Sequence, residues 1–386
     1  MSVYELAILG SASADELERL TATLSTMVAD FGLSLGCEIR LHDGTSIATR
    51  NKHSACAATY FGGVPLSDVE AAKELTAASV PVIPTVTQDG DFGQSVPPCL
   101  HMSNGLRRRT EDVAMTELAV ALLECVGLLR RQRRVFVSYR RAESRAAAMQ
   151  LHDLMTARGF DVFLDTHSIR PGDPFQDVLW HRLCDSDVMV MLDTPTYFES
   201  KWTRREIGRA RAKDIHVLRV VWPGHVPSKF TDLAETIYLD SAKLRGSDGP
   251  IDDSAADQIL LAVESLRSRS IAARYMGITG RLRAEVQKIG AAIEGIGAHR
   301  AMCLRLIDER KLWAFPVVGV PTAELLNDVA EKAKRADTHE APILVYDHVG
   351  IGSQWMSHLK WLDENIRVVR AVRVLEAAWT LAAWED

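Results

Sequence analysis

Short apolar segments alternate with longer amphipathic segments along the first third of the chain. The run at 4–9 (YELAIL) is almost entirely apolar, whereas apolar residues at 15–31 recur every three or four positions. The first pattern is typical of a buried strand, and the second is typical of a helix with one buried face. The alternation continues, with Gly, Pro and Ser at the breaks, to a last helix at 110–129. Residues 1–130 are therefore predicted to form a parallel α/β sheet.

The same alternation resumes twice after a basic connector, RRQRR. The apolar runs VFVSY, DVFLD, DVMVMLD and HVLRVVW are each followed by a helical pattern or a turn, and TIYLD is a candidate fifth strand. A closing helix is predicted at 255–269 and further helical material at 270–297, before the runs FPVVGV, APILVYDHVGI and RVVRAVRV. We therefore expect three α/β domains: 1–130, with a regulatory or assembly role; 131–270; and 271–386, a helical connector and an α/β domain with a sensor role.

Composition narrows the classes of function. The 386 residues are 47% hydrophobic and 25% charged, which is ordinary for a globular protein, and the net charge is −6. This mild charge gives no reason to expect binding to nucleic acid or to a membrane. Six scattered cysteines form no CxxC pair, so neither a zinc site nor a disulfide framework is expected. With no leader pattern and no apolar run near the ~20 residues of a membrane span, the expected location is the cytoplasm.

Three sequence blocks in the middle domain carry candidate chemistry. They are RVFVSYRRAES, DTHSIRPGDPF and SKWTRREIGRA, and they lie at or after the first, second and third predicted strands of this domain. If the strands take the flavodoxin-like order 2-1-3-4-5, ligands bind at the carboxyl ends of the strands, where the connections reverse direction. The connections at 138–141, 165–175 and 197–206 would then surround one cleft.

The third block places an aromatic ring and an acid on one helix. Trp202 and Glu206 are four residues apart, so they lie on the same helical face about one turn apart. A flat ring and a carboxylate suit the base and sugar of a nucleotide. A positioned carboxylate also stabilises the oxocarbenium-like transition state of glycosidic bond cleavage. A leaving group that is already cationic departs without needing protonation, so for such a substrate one carboxylate suffices where O-glycosidases use two.

These blocks, in this order, resemble a bacterial Toll/interleukin-1 receptor (TIR) domain of the NAD-cleaving type over residues 134–270. The resemblance implies a flavodoxin-like parallel sheet, with Glu206 as the catalytic acid and Trp202 beside the nicotinamide ribose. It assigns contacts with the substrate to Tyr139, Arg140, Arg141, Asp165 and Phe175. It further implies a mobile loop over 165–175, which includes Ile169, Arg170, Pro171 and Gly172.

The resemblance also implies partners. NAD+ is the substrate, no other cofactor and no metal is expected, and the family's behaviour implies a homo-oligomer formed through TIR contacts. It further implies an effector of bacterial antiphage defence. The product is either ADP-ribose or a cyclic ADP-ribose, since water or an adenine nitrogen can attack the ribosyl carbon.

Other interpretations of the same residues remain. Glu206 can be a surface glutamate paired with Arg209, and Trp202 can belong to the core. Many TIR domains are non-catalytic modules that bind other proteins, so an interaction module is the alternative function. The flanking domains can instead hold a regulatory ligand or partner, for which Asp347 and His348, after the run APILV, are weak candidates.

Overall fold

The computed structural model describes residues 2–108, 111–164, 175–199, 201–229, 234–335, 341–365 and 368–383; at 111, 112, 175, 176, 201, 202 and 335 it describes the backbone only. The chain divides into two compact units. The central unit comprises Arg130–Ile271 and Val349–Ser353, and the second unit comprises Met1–Leu129, Ala272–His348 and Gln354–Asp386. Each of the three predicted domains contains one five-stranded sheet. Among the described residues, no helix has the length and apolarity that crossing a membrane requires.

The first sheet is entirely parallel and has the order β2-β1-β3-β4-β5. Its strands are β1 (Tyr4–Gly10), β2 (Ile39–His42), β3 (Cys56–Phe61), β4 (Val82–Thr87) and β5 (Leu106–Arg108), and its helices are α1 (Ala14–Ala29), α2 (Val69–Ala77), α3 (Phe92–Ser95) and α4 (Glu111–Cys125). A capping box formed by Ser13 and Glu16 starts α1. The parallel α/β sheet predicted for this region is confirmed.

The sheet of the central unit has the order β10-β9-β8-β6-β7, and all its strands are parallel. The strands are β6 (Arg134–Ser138), β7 (Asp161–Leu164), β8 (Val188–Asp193), β9 (His216–Val221) and β10 (Glu235–Tyr238), with helices α5 (Arg141–Ala157), α6 (Phe175–Asp185), α7 (Lys201–Ala212) and α8 (Asp253–Lys288). Numbered within this unit, the order is 2-1-3-4-5. The predicted flavodoxin-like arrangement is confirmed.

Both faces of the central sheet are covered. On one face, Val135 and Val137 pack with residues of α5 and α8; on the other, Phe136 packs with residues of α6 and α7. Successive side chains of β6 point to opposite faces, so a strand buried on both sides must be apolar at every position, as VFV is. This packing holds α7 against the sheet and thereby positions the side chains at the carboxyl edge.

The third sheet is mixed, with the order β11-β12-β13-β14-β15. Its strands are β11 (Ala292–Ile296), β12 (Met302–Arg305), β13 (Lys311–Val317), β14 (Ile343–Tyr346) and β15 (Arg370–Arg373), and its helices are α9 (Ala323–Arg335), α10 (Ser353–Asn365) and α11 (Ala377–Ala382). The pairs β11–β12 and β12–β13 are antiparallel, and the other two pairs are parallel.

The expectation of helical material throughout 270–297 is wrong at its end. The helix α8 runs without a break to Lys288, and β11 begins at Ala292. The helix continues because apolar residues keep a helical spacing and are buried in the core of the third sheet, namely Tyr275, Ile278, Leu282 and Val286. It stops before Gly290, whose positive φ of 72° ends helical geometry at low steric cost.

Candidate functional site

The carboxyl ends of the two central strands, β6 and β8, define the site. Ser138 is the last residue of β6, Asp193 is the last residue of β8, and the two strands are direct neighbours. The connection after β8 forms a short turn at Tyr197–Glu199 and then enters α7, which carries Glu206. Side chains from three separate elements therefore meet at one edge of the sheet, as expected for a doubly wound fold.

A chain of hydrogen bonds leads to the predicted catalytic acid. Ser138 Oγ donates to Glu206 Oε2 at 2.6 Å and lies 2.7 Å from the Tyr197 hydroxyl. A serine hydroxyl carries only one proton, and Ser138 donates it to Glu206. In the bond with Tyr197, Ser138 is therefore the acceptor and the Tyr197 hydroxyl is the donor. The order of donation is Tyr197 to Ser138 to Glu206, and each bond stabilises the ionised form of the carboxylate at its end.

The carboxylate of this chain is shielded from solvent. Glu206 is only 1% exposed, and Tyr197 and Ser138 are equally buried. A buried carboxylate without hydrogen bonds is strongly disfavoured, so the bond from Ser138 offsets part of the cost of removing the charge from water. A substrate can contact Glu206 only after the groups that cover it move.

Arg140 joins two of the connections at this edge. It occupies the N-cap position of α5, and its guanidinium donates to the backbone oxygen of Thr196 and forms an ion pair with Glu199 at 3.1 Å. The Arg140 side chain is 33% exposed. Arg140, which was predicted to contact the substrate, is thus already engaged with the connection after β8, and it holds the turn that carries Tyr197.

Glu143 strengthens the same attachment. Its Oε2 accepts from the backbone N–H of Thr196 at 3.1 Å. Burial acts to raise the pKa of Glu143, but the hydrogen bonds from Thr196 and the charge of Arg140 oppose it, and the pKa is lowered. Glu143 is therefore ionised at neutral pH, and its charged carboxylate holds the connection after β8 by accepting the hydrogen bond of Thr196.

A second acid lies at the end of β8. Asp193 is fully buried, with Oδ1 3.2 Å from His225 Nε2, and its Oδ2 has no partner among the residues that the structure describes. Burial raises the pKa of Asp193, and the nearby His225 opposes this only in part. A neutral acid favoured by burial can donate a proton in a hydrogen bond, which an ionised carboxylate cannot do.

The other predicted site residues divide into two groups. Tyr139 packs in the central core and is almost fully buried, whereas Arg141, the first residue of α5, is exposed. The side chains of Trp202 and Phe175 lie outside the described residues, although both backbones are helical. Also outside them are Asp165, Ile169, Arg170, Pro171 and Gly172. Of the predicted set, the structure brings Glu206 and Arg140 to this edge through described contacts.

The sequence analysis missed the residues that support Glu206. Tyr197 and Ser138 are ordinary hydroxyl residues in the segments TPTYFES and VFVSYRR, and neither has a spacing relation to Glu206. Asp193 offered a better signal, since it is a charged residue at the end of an apolar strand in a predicted parallel sheet. The described part of the chain contains no group of three side chains able to hold a metal ion.

Known proteins resemble the central unit. Residues 135–260 match the TIR domain family. A protein of Brachypodium distachyon named "Probable 2′ cyclic ADP-D-ribose synthase" is 31% identical over 74 residues, which are 19% of this chain and 33% of that protein. The matched region thus spans about a third of the relative's length. A pyruvate kinase from Pyrobaculum aerophilum aligns with 96% of this chain and 90% of its own at 11% identity, but its TM-score of 0.16 supports no structural conclusion.

Proposed function

Residues 135–260 form a TIR domain, and from this premise we propose that the protein cleaves NAD+ at the bond between nicotinamide and ribose. The observation that carries the proposal is the buried carboxylate of Glu206, which receives the hydrogen bond of Ser138 at the carboxyl edge of the sheet. The name of the Brachypodium relative, a cyclic ADP-ribose synthase, is in line with this chemistry.

The proposed reaction breaks one bond and forms one. The bond between the ribose C1′ and the nicotinamide nitrogen breaks, and its electron pair goes to nicotinamide, whose positive charge is thereby neutralised. Water then attacks C1′ and loses a proton, which yields ADP-ribose; attack by an adenine nitrogen instead yields a cyclic product. The positive charge that develops on the sugar is where an anionic side chain stabilises the transition state most.

Glu206 supplies that charge, and Ser138 and Tyr197 hold it in place. A carboxylate fixed by short hydrogen bonds needs little reorganisation when the sugar becomes cationic, which is how preorganised sites lower a barrier. The same bonds favour the ionised form, the form that stabilises a cation. Ser138 and Tyr197 are therefore positioning residues, and Glu206 is the catalytic residue.

The N-terminus of α5 suits the phosphates of the substrate. It lies directly after β6 at the same edge, no side chain caps it, and its first residue is the exposed Arg141. Backbone N–H groups at a helix start and a nearby guanidinium both attract phosphate oxygens. Arg141 and Arg140 are both candidates for this role, and Arg140 also contacts Thr196 and Glu199.

A matched set of glutamate variants tests the activity. Purified full-length protein is incubated with NAD+, and nicotinamide release is followed with the wild type, Glu206→Gln and Glu235→Gln. Glu235 begins β10, at the opposite end of the strands, where it pairs with Arg269. We expect activity in the wild type and in Glu235→Gln, and its loss in Glu206→Gln. Wild-type release that does not exceed Glu206→Gln, at any protein concentration, contradicts the proposal.

The burial of Glu206 is in line with a proposal that the protein is activated by self-assembly. Since a substrate reaches this carboxylate only when its cover moves, contact between copies can supply the rearrangement. We therefore propose that the active form is a homo-oligomer and that the protein acts as an effector in bacterial antiphage defence. Activity per molecule is expected to rise with protein concentration, and phage plating on cells carrying Glu206→Gln is expected to equal plating on cells without the protein. A concentration-independent rate argues against assembly.

The same burial favours one alternative, a TIR module that binds proteins without catalysis. A hydrogen-bonded acid with 1% exposure can serve the fold alone. In that case Glu206→Gln lowers the melting temperature, no nicotinamide is released by the wild type, and binding to other TIR domains is kept. The release assay therefore separates the two functions.

A further inference from the structure

The second unit contains a cavity of about 250 Å³ at the amino edge of the first sheet. It lies where β3 and β4 begin, against the end of α4 and one turn of α8, and its lining includes Cys56, Val80, Cys125, Ala272 and Tyr275. Ligand pockets in proteins usually measure about 300–1,000 Å³, so this cavity lies just below that range and suits a small molecule. All of its lining residues belong to the second unit, whereas Glu206 belongs to the central unit.

The charged groups around this cavity are all positive. Arg50, Lys52 and Arg300 line it, and no Asp or Glu is among the described residues that do so. Neither Arg50 nor Lys52 forms an ion pair with a described carboxylate. Two carboxylates in the neighbourhood are engaged with other groups: Glu5 contacts His42 at 2.6 Å, and Glu124 contacts His299 and Lys332.

The cysteines of the lining add no negative charge. Burial raises the pKa of the Cys56 thiol to about 12 and that of Cys125 to about 11, although Arg50 and Arg300 respectively oppose the shift. Both thiols are therefore neutral at physiological pH, as expected for apolar surroundings. The cavity keeps its excess of positive charge.

Tyr275 offers a hydrogen-bonding group whose capacity is not filled by the described structure. The residue lines the cavity and is only 5% exposed, and its hydroxyl forms no hydrogen bond of normal geometry with a described residue; the nearby Thr279 side chain donates instead to the Tyr275 carbonyl oxygen. A buried polar atom without a partner costs about 1–3 kcal/mol, so such atoms call for an explanation. A ligand with an acceptor oxygen would supply the missing partner.

Arg300 is held in a strained conformation against the ring of Tyr275. Its φ is +56°, it is 9% exposed, its Nε donates to Cys125 O at 2.8 Å, and its guanidinium lies 4.7 Å from the centre of the Tyr275 ring. The carbonyl at the end of α4 explains part of this placement, because helix C-termini attract cations. It does not explain Arg50 and Lys52, which come from the connection between β2 and β3.

We propose that this cavity binds a small organic phosphate of up to mononucleotide size. Arg50 and Lys52 hold the phosphate, the Tyr275 hydroxyl donates to an oxygen of the ligand, and the apolar walls formed by Ala55, Val80, Pro81 and Met276 receive its uncharged part. A phosphate fits better than a carboxylate because several cations surround one site, and phosphate brings more charge and more acceptor oxygens.

Titration of the full chain with AMP, inorganic phosphate and adenosine tests the site. Calorimetry is expected to show AMP binding with a Kd below about 1 mM, weaker binding of phosphate, and no binding of adenosine at that concentration. Arg50→Gln and Lys52→Gln are each expected to weaken AMP about tenfold, since each removes a charge-assisted contact. Arg40→Gln is the matched control, because Arg40 is an exposed arginine of β2 outside the cavity lining.

Tyr275→Phe separates binding from folding. Loss of a hydroxyl without a partner leaves the melting temperature unchanged or raises it, whereas AMP binding weakens about fivefold for one lost hydrogen bond. No AMP binding at about 1 mM overturns the proposal, as does binding that is equal for AMP and adenosine or insensitive to all three cavity variants. AMP binding lost in Arg141→Gln but kept in the cavity variants places the ligand in the TIR domain and equally overturns it.

Discussion

Ser138→Ala is the substitution that most sharply examines how Glu206 is held. It removes the hydroxyl that donates to Glu206 at 2.6 Å and accepts from Tyr197 at 2.7 Å, inside a site that is almost closed to solvent. A hydrogen bond to a charged group contributes about 1.5–3 kcal/mol. If that stabilisation is kept in the transition state, kcat falls about 10- to 150-fold.

The assay is steady-state release of nicotinamide, with KM and the melting temperature measured alongside. Because the lost bond positions the acid and does not contact the substrate, kcat is expected to fall with little change in KM. Ser186→Ala is the matched control: it removes a buried hydroxyl that donates to Arg182 O at 2.8 Å, before β8 at the amino edge. Its kcat is expected to stay within about twofold of the wild type.

Tyr197→Phe completes the test as a double-mutant cycle. Since the described bond of the Tyr197 hydroxyl to Glu206 passes through Ser138, this substitution is expected to lower kcat in the wild type and to have almost no further effect in Ser138→Ala. Fully additive losses, or a Ser138→Ala enzyme with wild-type kcat, refute the role assigned to this hydrogen-bond chain.

Three further substitutions test other parts of the account. Arg140→Gln removes the guanidinium that contacts Thr196 and Glu199. We expect kcat/KM to fall about fivefold, which corresponds to about 1 kcal/mol. An unchanged kcat/KM shows that these contacts are dispensable for activity. Asp193 has a raised pKa, mainly through burial, so its contribution to stability is lost as pH rises through that pKa. In thermal unfolding, the melting temperature of Asp193→Asn is expected to rise relative to that of the wild type as pH rises. A difference in melting temperature that does not change with pH contradicts this. Burial disfavours charge on Glu124, but His299 and Lys332 lower its pKa from 4.5 to about 2. Ionised Glu124 therefore contributes about 3 kcal/mol to the free energy of unfolding; this contribution is complete above pH ~4.5 and is lost as pH falls towards ~2. The stability advantage of the wild type over Glu124→Gln is expected to shrink in that window.

The central fold could be predicted because its two middle strands, β6 and β8, are apolar at almost every position. The strands VFVS and VMVMLD have no polar face, and this pattern is typical of strands buried on both sides of a parallel sheet. The segments with helical spacing between the strands predicted the helices that connect them. The third sheet was predicted less completely. The strand β11 (AIEGI) is short, contains a glycine and follows a long helix directly, so its pattern does not separate a strand from the end of that helix.

Only those residues of the site that belong to a recognisable sequence motif could be predicted. Glu206 stands out beside Trp202, but Tyr197 and Ser138 meet it through the packing of α7 on β6, which no local spacing records. The same limit applies to the cavity of the second unit. Arg50, Tyr275 and Arg300 are more than 200 residues apart at the extremes, and only the tertiary structure brings them together.

Nicotinamide release from NAD+ by the wild type and by Glu206→Gln, measured side by side over a range of protein concentrations, tests the central claim most directly. Retained melting temperature in Glu206→Gln ensures that a loss of activity reflects chemistry. We expect release by the wild type, rising per molecule with concentration, and a loss of at least about 100-fold in the variant. Equal release by the two proteins, or none by the wild type, contradicts it.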